Sequence, residues 1–255
     1  MTKDKIASKK MRVLPLYKLL PSVITLVAIC AGLTAVKCAL EGRWENAVIL
    51  LVIAAFLDGM DGRVARYLKV TSDFGAELDS LADFCNFGIS PALVLYTWAS
   101  GDIDIRKIRW GVVLVFAICC AIRLARFNTN SKKKTLQSWN SVDLFFTGVP
   151  APIGGILLII PIVISFEFRQ FLVVLKTPWI LGVYMIVIAL AMASRIPTFS
   201  IKKISISHDN VALFLAFIGL LIAMLLIKPW LTISVLSLFY LISIPVSVFW
   251  YYRSK

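Results

Sequence analysis

From residue 22 onward the chain is a succession of apolar runs, each close to the roughly 20 residues that a helix needs to cross a bilayer's hydrocarbon core. Eight can be read, over approximately 22–40, 47–66, 77–98, 109–128, 147–166, 178–195, 211–227 and 230–252. The last two are separated only by "KPW". With 60% hydrophobic and 16% charged residues, a soluble domain is excluded, since such domains carry nearer a quarter charged residues. The expected fold class is all-α integral membrane: one polytopic helical bundle of about eight transmembrane helices.

The formal net charge of +13 suggests nucleic acid at first sight, but no basic soluble domain exists to carry such binding. In a membrane chain, positive loops face the cytoplasm and anionic headgroups. With a cytoplasmic N-terminus and eight alternating spans, 19 of the 27 lysines and arginines fall on the cytoplasmic side. That asymmetry predicts cytoplasmic N- and C-termini. Residues 1–21 mix basic residues with leucines, as an interfacial helix on anionic lipid would; a basic tail, partly disordered, is the alternative for the first ten. No cleavable signal is expected. Trp110, Trp179 and Trp230 fall near helix ends and suit an aromatic belt. Cys30, Cys38, Cys85, Cys119 and Cys120 lie in or beside apolar runs without metal-ligand spacing, and read as small buried hydrophobes. His208 has no ligand partner nearby and reads as a solvated loop residue.

Against this background, four aspartates stand out. "AVILLVIAAFLDGMDGRVAR" ends the second run with Asp58 and Asp61; "GAELDSLADFCNFG" opens the third with Asp79 and Asp83. Spacings of three and four place each pair on one helix face. If the two helices pack antiparallel through the connection at 67–74, all four carboxylates meet at one depth, on the cytoplasmic side. Unpaired charges there are unfavourable, and an all-oxygen set points to a hard divalent cation, Mg2+ or Mn2+. Gly62 and Ala65 leave open surface one turn beyond, Gly75 precedes Asp79 by one turn, and the Arg66 fork suits phosphate oxygens. The combination describes a diphosphate site. Two alternatives stand beside it. In one, the aspartates are interfacial charges pairing with Arg63 and Arg66; in the other, they mark the ion path of a cation-coupled transporter, which would instead spread acids over several helices near mid-membrane.

The full pattern is Asp58-x2-Asp61-Gly62-x2-Ala65-Arg66-x8-Gly75-x3-Asp79-x3-Asp83. It resembles the signature of the CDP-alcohol phosphatidyltransferase family at every fixed position. The resemblance implies an enzyme that joins an alcohol to the phosphatidyl group of a CDP-linked lipid, releasing CMP. It implies that Asp58, Asp61, Asp79 and Asp83 hold two divalent ions, Mg2+ or Mn2+. Gly62, Ala65, Arg66, Ser72 and Gly75 would line the CDP-lipid site, and Asp83 would be the catalytic base. "LDSLADFCNFGISPALVLY", with Ser80 and Phe84 after the last two aspartates, resembles the branch whose acceptor is serine; glycerol 3-phosphate and inositol are the alternative acceptors. "RLARFN", "FTGVPAP" and "MASRIPTFSIKK" are similar to the same branch. One departure is visible: the run opening the first span usually reads Pro-Asn-x-x-Thr, and here reads Pro21-Ser22 with Thr25 retained.

Arg123, Arg126 and Asn128 sit level with the carboxylates and would either bind the acceptor's carboxylate or anchor their span at the headgroups. Lys202 and Lys203 would attract the CDP-lipid or face anionic membrane. The expected organisation is a basic segment at 1–21, a catalytic membrane domain at 22–203 and a helix pair at 204–255. CDP-diacylglycerol, L-serine and membrane lipid are the expected partners. A homodimer in a bacterial cytoplasmic membrane is expected, with no nucleic acid.

Overall fold

The computed structural model describes residues 16–70, 72–99, 103–136, 145–194, 197–199 and 211–253. Most of the basic segment at 1–21, Lys202, Lys203 and His208 lie outside the described residues. A short 3-10 turn, Leu16–Leu19, leads into α1 (Leu20–Leu40) and α2 (Trp44–Tyr67). Then come α3 (Asp73–Asp83), a π-helical turn (Phe84–Ile89), α4 (Ser90–Trp98), α5 (Ile103–Leu136) and strand β1 (Phe145–Thr147). After β1 follow α6 (Ala151–Glu167), a 3-10 turn (Arg169–Phe171), α7 (Leu172–Leu175) and α8 (Pro178–Ala193). Strand β2 (Pro197–Phe199), α9 (Val211–Ile227) and α10 (Pro229–Arg253) complete the described chain.

The architecture is helical, as a bilayer demands: backbone groups with no water to pair with are satisfied within each helix. By length and hydropathy, Tyr17–Leu40 and Asp104–Asn130 can each cross a membrane among the described residues. α6 and its continuation to Leu175 make a third if read as one span, although the chain bends by 118° between them.

α1 and α2 form an antiparallel hairpin around the turn at Glu41–Arg43, where Gly42 takes φ 74°. Their contact is made of small side chains. Ala28, Gly32, Ala35 and Ala39 recur at three- and four-residue steps along the buried side of α1, with Gly32 against Asn86 and Ser90, and Ala47, Leu51 and Ala54 recur in the same way on α2. Such stripes let helices approach closely where lipid gives no hydrophobic push between them. Both stripes end in polar groups: Thr25 continues the α1 face by one turn, and Asp58 and Asp61 continue the α2 face. The packing that buries alanines therefore carries Asp61 to 3% exposure.

The third span is not one regular helix. The Phe84–Ile89 π-helical turn interrupts it directly after Asp83, and such wide turns concentrate at functional sites. Phe87 is buried at its centre, its Cα where a Cβ on Gly155 of α6 would stand 3.0 Å away. Asn86 is buried against Gly32, a residue whose Cβ would lie 2.3 Å from Asn86 Oδ1. Phe87, Phe116, Leu158, Ile162 and Met192 belong to the common core.

Two segments depart from the simple run of helices expected from the sequence. Residues 145–147 pair antiparallel with 197–199, so the span expected at 147–166 starts as α6 at Ala151, after Pro150. Gly148 makes the turn between them at φ 80°, and a Cβ there would lie 2.7 Å from the Ser194 carbonyl oxygen. α5 continues to Leu136, well past the expected end near 128. α10 packs on α6, whereas α9 buries none of its residues.

Candidate metal centre and adjoining cavity

Helix phase delivers the carboxylates. On α2, Ala54, Asp58 and Asp61 follow one another at steps of four and three, so the aspartates inherit the face that already points inward. On α3, phase is fixed at the N-terminus: Ser72 is the N-cap in extended conformation, and its Oγ accepts the Gly75 N–H at 3.0 Å. A cap of this kind contributes about 1 kcal/mol to a helix. One and two turns later come Asp79 and Asp83.

Asp58, Asp61 and Asp79 each offer a carboxylate oxygen, and these three oxygens lie within 4.8 Å of one another. The Asp83 carboxyl lies beside that of Asp58. Asp61 is held by its neighbours: Thr25 Oγ1 donates to its Oδ2 at 2.5 Å, and the Gly62 N–H donates to its Oδ1 at 2.5 Å. Thr25 in turn shares its hydroxyl with the Pro21 carbonyl at 3.0 Å. Asp58 Oδ1 is buried with no hydrogen-bond partner. Among the described residues, no lysine or arginine lies within 4 Å of any of the four carboxylates.

These features fit a divalent cation. Oxygen ligands at about 2.0–2.6 Å from one ion stand at most about 4–5 Å apart, which matches the three-carboxylate group. The unpartnered Asp58 oxygen is a ligand atom in want of a partner, and hard all-oxygen sets favour Mg2+ or Mn2+ over softer metals.

Beside the carboxylates lies a cavity of about 270 Å3, lined by residues that include Asp61, Asp79, Gly62, Ala65, Arg66 and Gly75. A Cβ on Gly62 would meet nothing within 4 Å, so that glycine marks open space. Arg66 anchors its Nε on the Gly62 carbonyl at 3.0 Å, one turn back on its own helix. All five residues expected at the CDP-lipid site, Ser72 included, line this one cavity.

The first 3-10 turn and the start of α1 add Lys18, Pro21, Ser22 and Thr25 to the wall, and Val70 and Ala76 complete it. The retained Thr25 was the sequence signal for this wall. That it would clamp Asp61 lay beyond that signal, since the two are 36 residues apart. Ser22, the departure from the usual run, stands in the cavity wall; Lys18 carried no signal beyond belonging to a basic segment.

The candidate acceptor residues have structural partners of their own. Arg123 Nε donates to the Val149 carbonyl at 2.6 Å, and its guanidinium interacts electrostatically with Asp83. Arg126 Nη1 donates to the Ala193 carbonyl at 2.8 Å, supplying a cation to the C-terminal carbonyls of α8. Asn128 donates to Ser80 Oγ at 2.9 Å, joining α5 to α3. Of the three, Arg123 is the one that stands beside a carboxylate of the site.

Comparison with known proteins agrees with this geometry. The family model described as CDP-alcohol phosphatidyltransferase matches residues 18–194, and one described as CDP-alcohol phosphatidyltransferase 2 matches residues 210–245. The CDP-diacylglycerol–serine O-phosphatidyltransferase of Mycobacterium tuberculosis is 37% identical over 236 residues, covering 91% of this chain and 78% of that protein. The enzyme of the same name from Mycobacterium leprae is 36% identical, with 91% and 75% covered. The one from Helicobacter pylori is 32% identical, with 89% and 90% covered.

Proposed function

We infer that this chain, which belongs to the CDP-alcohol phosphatidyltransferase family, transfers the phosphatidyl group of CDP-diacylglycerol to the hydroxyl of L-serine, giving phosphatidylserine and CMP. The observation that carries the reading is the cavity that joins Asp61 and Asp79 to Gly62, Ala65, Arg66 and Gly75. It offers cation ligands, open backbone and an arginine within one wall, as a nucleoside diphosphate esterified to lipid requires. Serine as acceptor is supported by the activity for which the relatives are named and by the residues following Asp79 and Asp83.

Asp58, Asp61, Asp79 and Asp83 would hold two divalent ions, Mg2+ or Mn2+. Bound there, the metal supplies positive charge to the diphosphate. Arg66 forks onto phosphate oxygens, and Gly62 lets them approach the backbone. Asp83 accepts the proton of the serine hydroxyl, whose oxygen then bonds to the phosphorus bearing the diacylglycerol. The bond from that phosphorus to the CMP oxygen breaks, and CMP leaves past Arg66. Thr25 keeps Asp61 in one rotamer throughout. Arg123, beside Asp83, meets the carboxylate of serine, while Arg126 and Asn128 position α5 for it.

The same reading extends to the membrane. Eight spans with cytoplasmic termini put the carboxylates at the cytoplasmic face of a bacterial inner membrane, with the catalytic domain at 22–203 and a helix pair at 204–255. Two chains would associate as a homodimer.

The test is CMP release by the purified protein, supplied with CDP-diacylglycerol and Mn2+ or Mg2+, with serine, glycerol 3-phosphate or inositol offered in turn. Serine-dependent release that disappears in Asp83→Asn is the expected result. Release only with another alcohol would retain the diphosphate site and overturn the acceptor. No release with any alcohol would overturn the catalytic reading.

A further inference from the structure

At the end of the bundle opposite the carboxylates, a second cavity of about 570 Å3 lies between the α1–α2 turn, the end of α4 and the bend after α6. Trp44, in its wall, opens α2, whose far end carries Asp61. At about 1.5 Å per residue the two are about 25 Å apart along the helix.

The wall combines cations with aromatic rings. Arg43, Arg169 and Lys176 line the cavity, opposed by one carboxylate, Glu45. Arg43 is already paired with Glu41. Arg169 and Lys176 have no carboxylate within 4 Å among the described residues. The Lys176 ammonium stands 5.1 Å from the ring centre of the buried Trp98, and Phe166 packs edge-on against Trp230 at 5.0 Å.

The segment between those two cations indicates where the cavity sits. After the 118° bend, the chain from Arg169 through α7 exposes Phe171, Val173 and Val174. Apolar side chains turned outward, with a cation at each end, are the make-up of a segment lying in a membrane interface. Trp44, Trp98, Trp110, Trp179 and Trp230 all belong to this end of the helices, the position of an aromatic belt.

We propose that this cavity binds the phosphate of an anionic phospholipid from the leaflet opposite the carboxylate site. Arg169 and Lys176 hold the phosphate oxygens, with the arginine fork taking two of them. The Trp44, Trp98 and Phe166 wall packs on the glycerol, and the acyl chains run down past Phe171 and Val174. Inorganic phosphate shares the headgroup's charge but lacks this apolar contact, so the two ligands separate in a binding measurement.

The experiment uses the full chain in phosphatidylcholine nanodiscs, titrated with phosphatidylglycerol and followed by native mass spectrometry and thermal midpoint. Phosphatidylglycerol is expected to be retained in preference to phosphatidylcholine. The double variant Arg169→Ala/Lys176→Ala should weaken that retention by roughly tenfold, with CMP release unchanged. Arg169→Gln, a single change at an exposed position, should show the same direction should the double variant fail to fold. Equal retention of the two lipids overturns the proposal, as does retention that survives both variants, which would place the lipid elsewhere. Displacement of phosphatidylglycerol by inorganic phosphate at matched concentration overturns the lipid assignment.

Discussion

The two ends of the bundle treat charge in opposite ways. At the α1–α2 turn and its neighbours, opposite charges meet near the surface. Arg43 pairs with Glu41, Lys228 with Glu167 at 3.1 Å, and Lys107 with Asp104 at 3.0 Å. The Arg43 hydrogen bond holds the Glu41 carboxyl below the usual glutamate range. At the other end four carboxylates crowd together, Asp61 among them almost fully buried, without a cation within ion-pair distance among the described residues. Exposed pairs satisfy themselves and contribute about 0–1 kcal/mol each. Like charges drawn from water into a low-dielectric end of a bundle cost far more, and the hydrogen bonds from Thr25 and Gly62 reach Asp61 alone among the four. The Glu41, Glu167 and Asp104 carboxylates are partnered as folded, whereas the four aspartates are completed by what they bind.

The strongest way to break that contrast is to remove a carboxylate. Asp83→Asn is expected to lower serine-dependent CMP release by about 10²–10⁴-fold, the usual worth of a positioned base; a loss under tenfold would remove Asp83 from that role. Asp61→Asn should abolish protection by metal. In the unaltered protein, Mn2+ at a hundred times its dissociation constant adds about 2.7 kcal/mol to stability, read as a higher thermal midpoint. That rise should vanish in the variant.

Thr25→Val sharpens the comparison one step from the ligands. Without the hydroxyl that fixes Asp61, Mn2+ affinity should fall by about 10–100-fold, and Thr25→Ser should restore it. A purely structural role for Thr25 would shift the metal-free midpoint and leave the affinity alone. Glu167→Gln at the opposite end is the smallest effect. It should change stability by less than about 1 kcal/mol and leave the Mn2+ shift intact, since the ion pair it breaks is largely exposed.

What was legible in the sequence follows from locality. The phase of Asp58 against Asp61, and of Asp79 against Asp83, is set within one helical turn, so spacing alone gave the paired faces. The glycines and Arg66 were legible for the same reason, being within a turn of those aspartates. The Phe84–Ile89 turn was not. Regular periodicity carries straight through residues 77–98, and the widened turn sits where Phe87 meets Gly155 and Asn86 meets Gly32, contacts with helices distant in sequence. The β1–β2 pairing likewise joins two stretches that the sequence marked separately as "FTGVPAP" and "MASRIPTFSIKK".

By itself, then, the sequence determined that the chain is helical and membrane-bound, which residues share a helix face, and that two of those faces end in carboxylates. Tertiary structure alone decided which groups from elsewhere complete the site. Thr25 reaches Asp61 across 36 residues, and Arg126 reaches Ala193 across 67, leaving Arg123 as the arginine coupled to Asp83. Helical period is a property of consecutive peptide units and is written in spacing. The choice of neighbour depends on how small-residue stripes on separate helices settle against each other, and no single helix carries that information.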